Sequence, residues 1–395
     1  MDSGIISVVL KPGKESSVKR YHPWIFSGAI KKISGNPAEG DIVEVFSNAG
    51  EYLATGHYQI GSIAVRIFSF HQVVPDYEFW KSKLLSAYRL RSFLNLTDNP
   101  EINVYRLVNG EGDGFPGLII DFYNGTAVFQ MHSIGMYRIR EELAEIIKEI
   151  FGNKITAVYD KSETTIPYKS GIVPKNGYMT GKARTFEVSE YGNRFRVDWQ
   201  EGQKTGFFID QRENRKLLER YSKDKNVLNM FCYTGGFSVY ALRGGARLVH
   251  SVDSSEKAIH LTDENIALNF NDSRHTSFTA DAFTYLRNLK NEYDLIILDP
   301  PAFAKHQNVL QNALQAYKRL NAAAIAQVKP GGILFTFSCS QVVSKDNFRK
   351  SVFAAAANTG RKVSILHQLT QPADHPVNIY HPEGEYLKGF VIYVE

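Results

Sequence analysis

Cysteine is almost missing from this chain: Cys232 and Cys339 are the only two in 395 residues. They fall in separate stretches without metal-type spacing, which excludes a disulfide framework or zinc ribbon and favours a reducing, cytoplasmic setting. No metal is expected. No apolar run approaches the roughly 20 residues of a membrane-spanning helix. The first ten residues lack a basic region followed by an apolar core and cleavage site, so neither export nor a membrane partner is expected. Internal repeats and low-complexity tracts are absent. The glycine pair Gly235-Gly236 belongs to neither a G-x-G-x-x-G dinucleotide fingerprint nor a phosphate loop ending in Gly-Lys-Ser/Thr. The charge is not one-sided: a net +5 is compatible with a polyanionic partner but raises that expectation only slightly.

What is present is apolar material, 43% hydrophobic and 12% aromatic, enough for packed cores in two or three domains. Residues 1–72 read as a small β-rich domain, with strands at 7–10, 42–46, 51–56 and 63–68 between Gly, Pro and Asn turns. Lys11, Lys14, Lys19 and Arg20 precede the aromatic run Tyr21-His22-Pro23-Trp24-Ile25-Phe26. That mixture could grip phosphates and stack on bases; the simpler reading puts Trp24 and Phe26 in a small barrel core. Residues 73–198 read as a central α+β domain. A helix is expected at 81–94, ended by Asp98-Asn99-Pro100, and a hairpin at 118–123 and 126–131 around Asn124-Gly125. A continuous helix follows at 136–151, carrying Ile139, Leu143, Ile146, Ile147 and Ile150 on one stripe. Strands at 155–159, 185–188 and 195–197 complete one sheet, with a loop at 169–182. The glycine-dense run from Arg106 to Gly117 reads as turns.

From about 226 the pattern becomes α/β. Apolar strands at 226–230, 248–252, 276–279, 293–298 and 333–337 alternate with helices such as 256–270 and 310–328, predicting a doubly wound parallel sheet. Strands at 362–369 and 387–394 close it. The first strand runs into Asn229-Met230-Phe231-Cys232-Tyr233-Thr234-Gly235-Gly236-Phe237, where paired glycines let backbone approach a ligand and a helix start offers free N–H groups. The second strand ends at Asp253, suited to ribose hydroxyls, and the third leads to Asp281-Ala282-Phe283, suited to adenine. Three acidic strand ends, Asp253, Asp281 and Asp299, support an S-adenosylmethionine site; the bland alternative is acids that merely cap helices. The run Leu295-Ile296-Ile297-Leu298-Asp299-Pro300-Pro301 delivers a carboxylate, and 333–337 leads to Ser338-Cys339-Ser340. If these strands are neighbours, an acid and a thiol share one crevice, an arrangement suited to a pyrimidine ring.

Those motifs resemble class I S-adenosylmethionine-dependent RNA methyltransferases. More narrowly, Glu201-Gly202-Gln203-Lys204-Thr205-Gly206-Phe207-Phe208-Ile209-Asp210-Gln211-Arg212 is similar to the family that makes 5-methylcytosine in bacterial large-subunit (23S) rRNA. His22 to Gly28 resembles that family's PUA RNA-binding domain, and the run from Arg106 its central domain. The resemblance implies the order PUA-like domain (1–72), central α+β domain (73–198) and Rossmann-like methyltransferase domain (199–395). It implies that Phe231, Tyr233, Asp253, Ser254, Asp281 and Asp299 surround the cofactor, together with Thr234, Gly235, Ala282 and Phe283 of the same loops. Lys204, Phe208, Gln211 and Arg212 would close over the methionine end or the base, with Lys204 and Arg212 also meeting RNA. The implied partner is 23S rRNA or a large-subunit particle, and a homodimer is an assembly this reading allows.

For chemistry at cytosine carbon 5, a thiolate must first add at carbon 6. Cys339 is the expected nucleophile and Asp299 the group that hydrogen-bonds or protonates N3. Lys204 or Arg212 is expected to lower the thiol pKa. Where the two-cysteine 5-methylcytosine enzymes place a second cysteine after Asp-Pro-Pro, this chain has Ala302 and Phe303, so the elimination base is unassigned. Cys232 reads as packing, and His375 and His381 as residues shaping a loop. Rival readings are methylation of another rRNA atom such as guanine N7, a small-molecule methyltransferase, and a catalytically silent RNA-binding assembly factor.

Overall fold

Period-2 alternation in the amino-terminal stretch resolves into a six-stranded sheet in the computed structural model, which describes residues 6–167, 171–271 and 273–395. Its strands are β1 (Ser7–Leu10), β2 (Trp24–Phe26), β3 (Ile30–Ser34), β4 (Ile42–Phe46), β5 (Tyr52–Tyr58) and β6 (Ile63–Ser69), in the order β2-β6-β5-β4-β1-β3. Only β1 and β4 pair in parallel. Val8, Leu10, Val43, Val45 and Ile67 fill its core. Strands β2 and β3 were not foreseen. On the edge strand β2 only Ile25 points inward; Trp24 is half-buried and Phe26 is 48% exposed, so the barrel-core placement of these two rings is corrected. Alternation along a strand sends neighbours to opposite faces.

A helix over Tyr77–Phe93 begins four residues before the expected start, because the Asp76 side chain caps it by accepting from the Phe79 N–H. Trp80, Leu84, Ala87 and Arg91 form its buried stripe. A five-stranded sheet follows, ordered β11-β10-β9-β8-β7, from β7 (Val104–Asn109), β8 (Leu118–Tyr123), β9 (Thr126–Met131), β10 (Ala157–Asp160) and β11 (Gly177–Gly181). The Asn124-Gly125 hairpin has the expected bounds, with both residues at positive φ. Three expectations change. The glycine-dense run begins with strand β7; 177–181 is a strand rather than loop, with 168–170 outside the described residues; and the helix after β9 breaks at Ile139 into Ile134–Arg138 and Arg140–Phe151. Strands β12 (Glu187–Glu190) and β13 (Asn193–Arg196) do not join this sheet. They form a separate hairpin turned by Tyr191 and Gly192, both at positive φ.

The remaining strands are β14 (Asn226–Met230), β15 (Leu248–Asp253), β16 (His275–Thr279), β17 (Leu295–Leu298), β18 (Gly332–Ser338), β19 (Val363–Thr370) and β20 (Lys388–Val394), all within two residues of their expected bounds. They form one sheet in the order β16-β15-β14-β17-β18-β20-β19, parallel except for β20, which runs antiparallel to both neighbours. The doubly wound fold is therefore present. Its order reverses between β14 and β17, and such a switch point opens a crevice at the carboxyl ends of the strands. Leu228, Met230, Leu298, Leu334 and Ile392 share a core with Tyr317 and Leu320 of the helix Leu310–Gln327 and Phe348 of the helix Lys345–Thr359. Burial of each such side chain contributes roughly 1.5–3 kcal/mol. Tracing packing rather than sequence order, one compact unit holds residues up to Val188 with Asp198–Phe207 and Ala373–Gly384. The other holds Ser189–Val197, Phe208–Pro372 and Glu385–Glu395.

Candidate active site

Register sets the site. Met230 pairs with Val252 and with Leu298, Leu298 with Thr336, and Asp253 with Thr279. One residue beyond the Met230–Val252–Leu298 row therefore come Phe231, Asp253 and Asp299, on three adjacent strands about 4.8 Å apart. Two residues beyond the next row come Asp281 and Cys339. The loop after β14 is strained: Phe231 (φ 58°) and Tyr233 (φ 47°) adopt left-handed backbone that non-glycine residues avoid, and Gly235 (φ 74°) completes the turn. Such strain persists where the surroundings fix it and concentrates at ligand sites. The Asp253 carboxylate holds the loop by accepting from the Tyr233 N–H at 3.1 Å and the Ser255 N–H at 3.0 Å. A Cβ on Gly235 would stand 2.7 Å from Thr262 Cγ2. The Thr234 carbonyl accepts from Asn265, and beneath the loop a chain runs from Asn229 through Ser238 and Ser251 to His275.

Asp281 caps the helix Ala282–Arg287, accepting from the N–H and hydroxyl of Thr284, which hold its carboxyl below the usual range. The capping role set against a cofactor role is thus real for this acid. Ser254 is exposed beside Asp253, Ala282 is buried, and Phe283 is half-buried. Cys232 is buried with Sγ 3.6 Å from Thr262 Oγ1, and burial pushes its thiol up to about 12, the profile of an inert packing residue.

The other half of the crevice comes from β17 and β18, which pair in parallel as neighbours. Asp299 and Cys339 are each half-buried. Ser340 ties the two loops together: its hydroxyl accepts from the Ala304 N–H at 3.3 Å and lies 3.4 Å from the Tyr317 hydroxyl. Lys388, at the start of β20 and paired with Ser338, reaches back to donate from Nζ to the carbonyls of Ser340 (2.6 Å) and Val343 (2.5 Å). This lysine was not anticipated, since it lies 49 positions beyond Cys339 and only the antiparallel return of β20 brings it there.

The segment after Phe207 supplies Phe208, whose ring meets the Tyr233 ring edge-on at 5.1 Å, and Gln211, buried with Oε1 accepting from Asn214 at 2.6 Å. Arg215, also unanticipated, fixes this segment. It donates to the Phe208 carbonyl at 2.9 Å and grips buried Glu190 bidentately at 2.8 and 2.7 Å, with Tyr240 completing the carboxylate's bonds. Asp210 accepts from the Tyr386 hydroxyl at 2.7 Å. Arg212, expected to close over the methionine end or the base and to meet RNA, is 1% exposed, with Nε donating to Glu213 in the first turn of its helix.

In the first unit, Lys11, Lys14, Lys19 and Arg20 are all exposed, although Lys19 is paired with Glu51 at 2.6 Å. Lys204 is exposed at φ 48°. His375 and His381 are buried there. His375 Nδ1 lies 3.0 Å from Asp374 Oδ1, and His381 packs against the Trp24 ring at 4.3 Å, as loop-shaping residues would. The backbone of their segment is held by Arg91, which donates to the Asp374 carbonyl at 2.7 Å and grips Asp113 bidentately; the Asp374 carboxylate accepts from the Arg106 N–H at 3.0 Å.

The strained loop fits a nucleoside-bearing ligand that backbone must approach closely, and the acids along the strand ends fit its hydroxyls and amine. Strand order and loop together define a class I methyltransferase, with S-adenosylmethionine as cofactor. A family model described as S-adenosylmethionine-dependent methyltransferase matches residues 175–378, and one described as PUA-like domain matches residues 8–70. The sequence is 40% identical over 395 residues to the Ribosomal RNA large subunit methyltransferase I of Tolumonas auensis, covering 98% of each chain. It is 38% identical over 397 residues, again 98% of each, to the protein of that name from Klebsiella pneumoniae strain 342. A Streptococcus mutans structure described as a SAM-dependent methyltransferase shares the fold, with TM-score 0.84 at 24% identity over 99% of this chain and 100% of that one. A second methyltransferase structure, determined with SAH, gives 0.85 at the same identity and coverage. The chain belongs to this S-adenosylmethionine-dependent methyltransferase family, in the group that carries an amino-terminal PUA-like domain.

Proposed function

We propose that the protein methylates carbon 5 of a cytosine in large-subunit (23S) rRNA, in the cytoplasm, through a covalent adduct between Cys339 and carbon 6. The observation that supports this reading is the parallel pairing of β17 with β18, whose neighbouring carboxyl ends lead to the half-buried Asp299 and Cys339. The relatives' names support rRNA as the substrate class. S-adenosylmethionine supplies an electrophilic methyl group, and Phe231, Tyr233, Thr234, Gly235, Asp253, Ser254, Asp281, Ala282 and Phe283 are the residues that would hold it, with Phe208 and Gln211 closing the site.

The Cys339 thiolate adds to carbon 6, and the ring electrons move toward carbon 5, making that carbon nucleophilic. Asp299, as the carboxylic acid, donates its proton in a hydrogen bond to N3 and so stabilises the negative charge that develops on the ring. Once carbon 5 carries the methyl group, a base removes its proton, the C5–C6 double bond re-forms and the thiolate leaves. Buried Cys232 is unsuited to act as that base. The exposed cations Lys11, Lys14 and Arg20 fit phosphate contacts that add affinity without sequence choice. A stacked target base would be extruded to reach the crevice.

Bisulfite sequencing of rRNA from cells lacking the protein is expected to reveal one lost cytosine mark, restored by the wild-type gene but not by Cys339→Ala. Unchanged cytosine marks would exclude the substrate. Full turnover by Cys339→Ser would favour an atom that needs no thiol, such as guanine N7.

A further inference from the structure

Lys388 is a buried cation without a carboxylate. It is 7% exposed, its Nζ donates to two neutral carbonyls, and among the described residues no Asp or Glu stands within ion-pairing distance of it. Removing an ammonium from water costs several kcal/mol, and buried charges are therefore normally paired with an opposite one. Two carbonyls satisfy two N–H groups but bring no negative charge. The Ser340 carbonyl that binds Nζ belongs to the residue next to Cys339, so the nitrogen sits against the turn that presents the sulfur.

We propose that Lys388 is a positioning residue for Cys339, its ammonium holding the Cys339–Val343 turn in place and favouring the sulfur in its anionic form. The catalytic meaning of this pair rests on the proposed covalent mechanism; the effect on the thiol does not. Burial lowers the Lys388 pKa to about 8, and the charge of Cys339 is the larger of two influences opposing that fall, Glu385 being the other. Attraction of this kind is reciprocal: what favours the ammonium also favours the thiolate. Of the other ionisable groups facing the turn, burial pushes the Tyr317 hydroxyl upward so that it stays neutral, and Asp299 ends the neighbouring strand. The ammonium is thus the cation that the turn itself supplies. Lys204 and Arg212, the cations expected in that role from the sequence, are respectively exposed and bonded through Nε to Glu213.

The test is alkylation of Cys339 by iodoacetamide across pH 5–10, followed by peptide mass spectrometry, with buried Cys232 as an internal control. In the wild-type protein the midpoint is expected below the ordinary thiol value of about 8.5. Lys388→Met is expected to raise it by about one unit. At pH 7 that lowers the thiolate fraction roughly tenfold and the alkylation rate about threefold, because a more basic thiolate is also more nucleophilic. Lys388→Arg should restore most of the shift. In turnover, Lys388→Met should lower kcat while the KM for S-adenosylmethionine is retained. A Lys388→Met protein with native thermal unfolding and an unchanged alkylation profile overturns the proposal. So does a wild-type midpoint at or above about 8.5, a measurement that requires no variant to fold. Because alkylation needs no RNA, Cys339→Ala retaining full methylation would defeat the covalent mechanism while leaving the lysine's effect on the thiol intact.

Discussion

Glu190 shows how one side chain can govern a site it does not enter. Both its oxygens are taken by Arg215, whose Nη1 donates to the Phe208 carbonyl, and neither partner of the pair is more than 2% exposed. Glu190→Ala leaves a buried guanidinium uncompensated and is expected to cost about 3–5 kcal/mol in urea unfolding, with weakened S-adenosylmethionine binding in calorimetry. In the first unit, His57 is buried and held neutral, its pKa lowered to about 3 chiefly by desolvation. The unfolded chain binds a proton on this ring below about pH 6.5 while the folded chain does not. Stability therefore falls as pH drops from about 6.5 toward 3, by up to roughly 1.4 kcal/mol per pH unit for this ring. Urea midpoints that stay flat between pH 7 and pH 5 would contradict this. The strands that lead to Asp299 and Cys339 were legible because each holds a short apolar run. Arg215 and Lys388 were not, since nothing local marks a cation whose partners lie 25 and 48 positions away.

Among elements, β20 is the one on which the thiol turn leans. It threads antiparallel between β18 and β19, and Gly389 lies opposite Phe337, where a Cβ would stand 2.5 Å from the ring. Gly389→Val is expected to cost about 2–3 kcal/mol or more by overpacking and to disturb the Lys388 contacts one residue away. Comparing its urea midpoint with that of Gly360→Ala, where nothing stands within 4 Å of the added carbon, separates crowding from backbone strain. The central strand β17, Leu-Ile-Ile-Leu, was readable because it is a short apolar run bounded by polar residues, and the Asn124-Gly125 hairpin because its turn demands those residues. Strand β11 was not: Gly177-Tyr178-Met179-Thr180-Gly181 carries no apolar alternation, and only pairing with β10 makes it a strand. The early start of the helix Tyr77–Phe93 rests on a single Asp76 cap. A cap is a one-residue signal, easily lost against a periodic background.

At the scale of the whole molecule, chain order and packing order diverge. Ser189–Val197 packs with the methyltransferase sheet, while Asp198–Phe207, directly after it, packs with the first unit. Composition gives no hint of this exchange, because both stretches are short, polar and aromatic. The Ala373–Gly384 segment does the same between β19 and β20: the strands on either side of it belong to one unit, and it belongs to the other, gripped by buried Arg91. A chain laced in this way has no clean place to come apart. Melting of the first unit would release the span that joins two strands of the second, and melting of the second would free both ends of a span the first has captured. Scanning calorimetry of the intact protein is therefore expected to record one endotherm, where independent domains joined by plain linkers would record two.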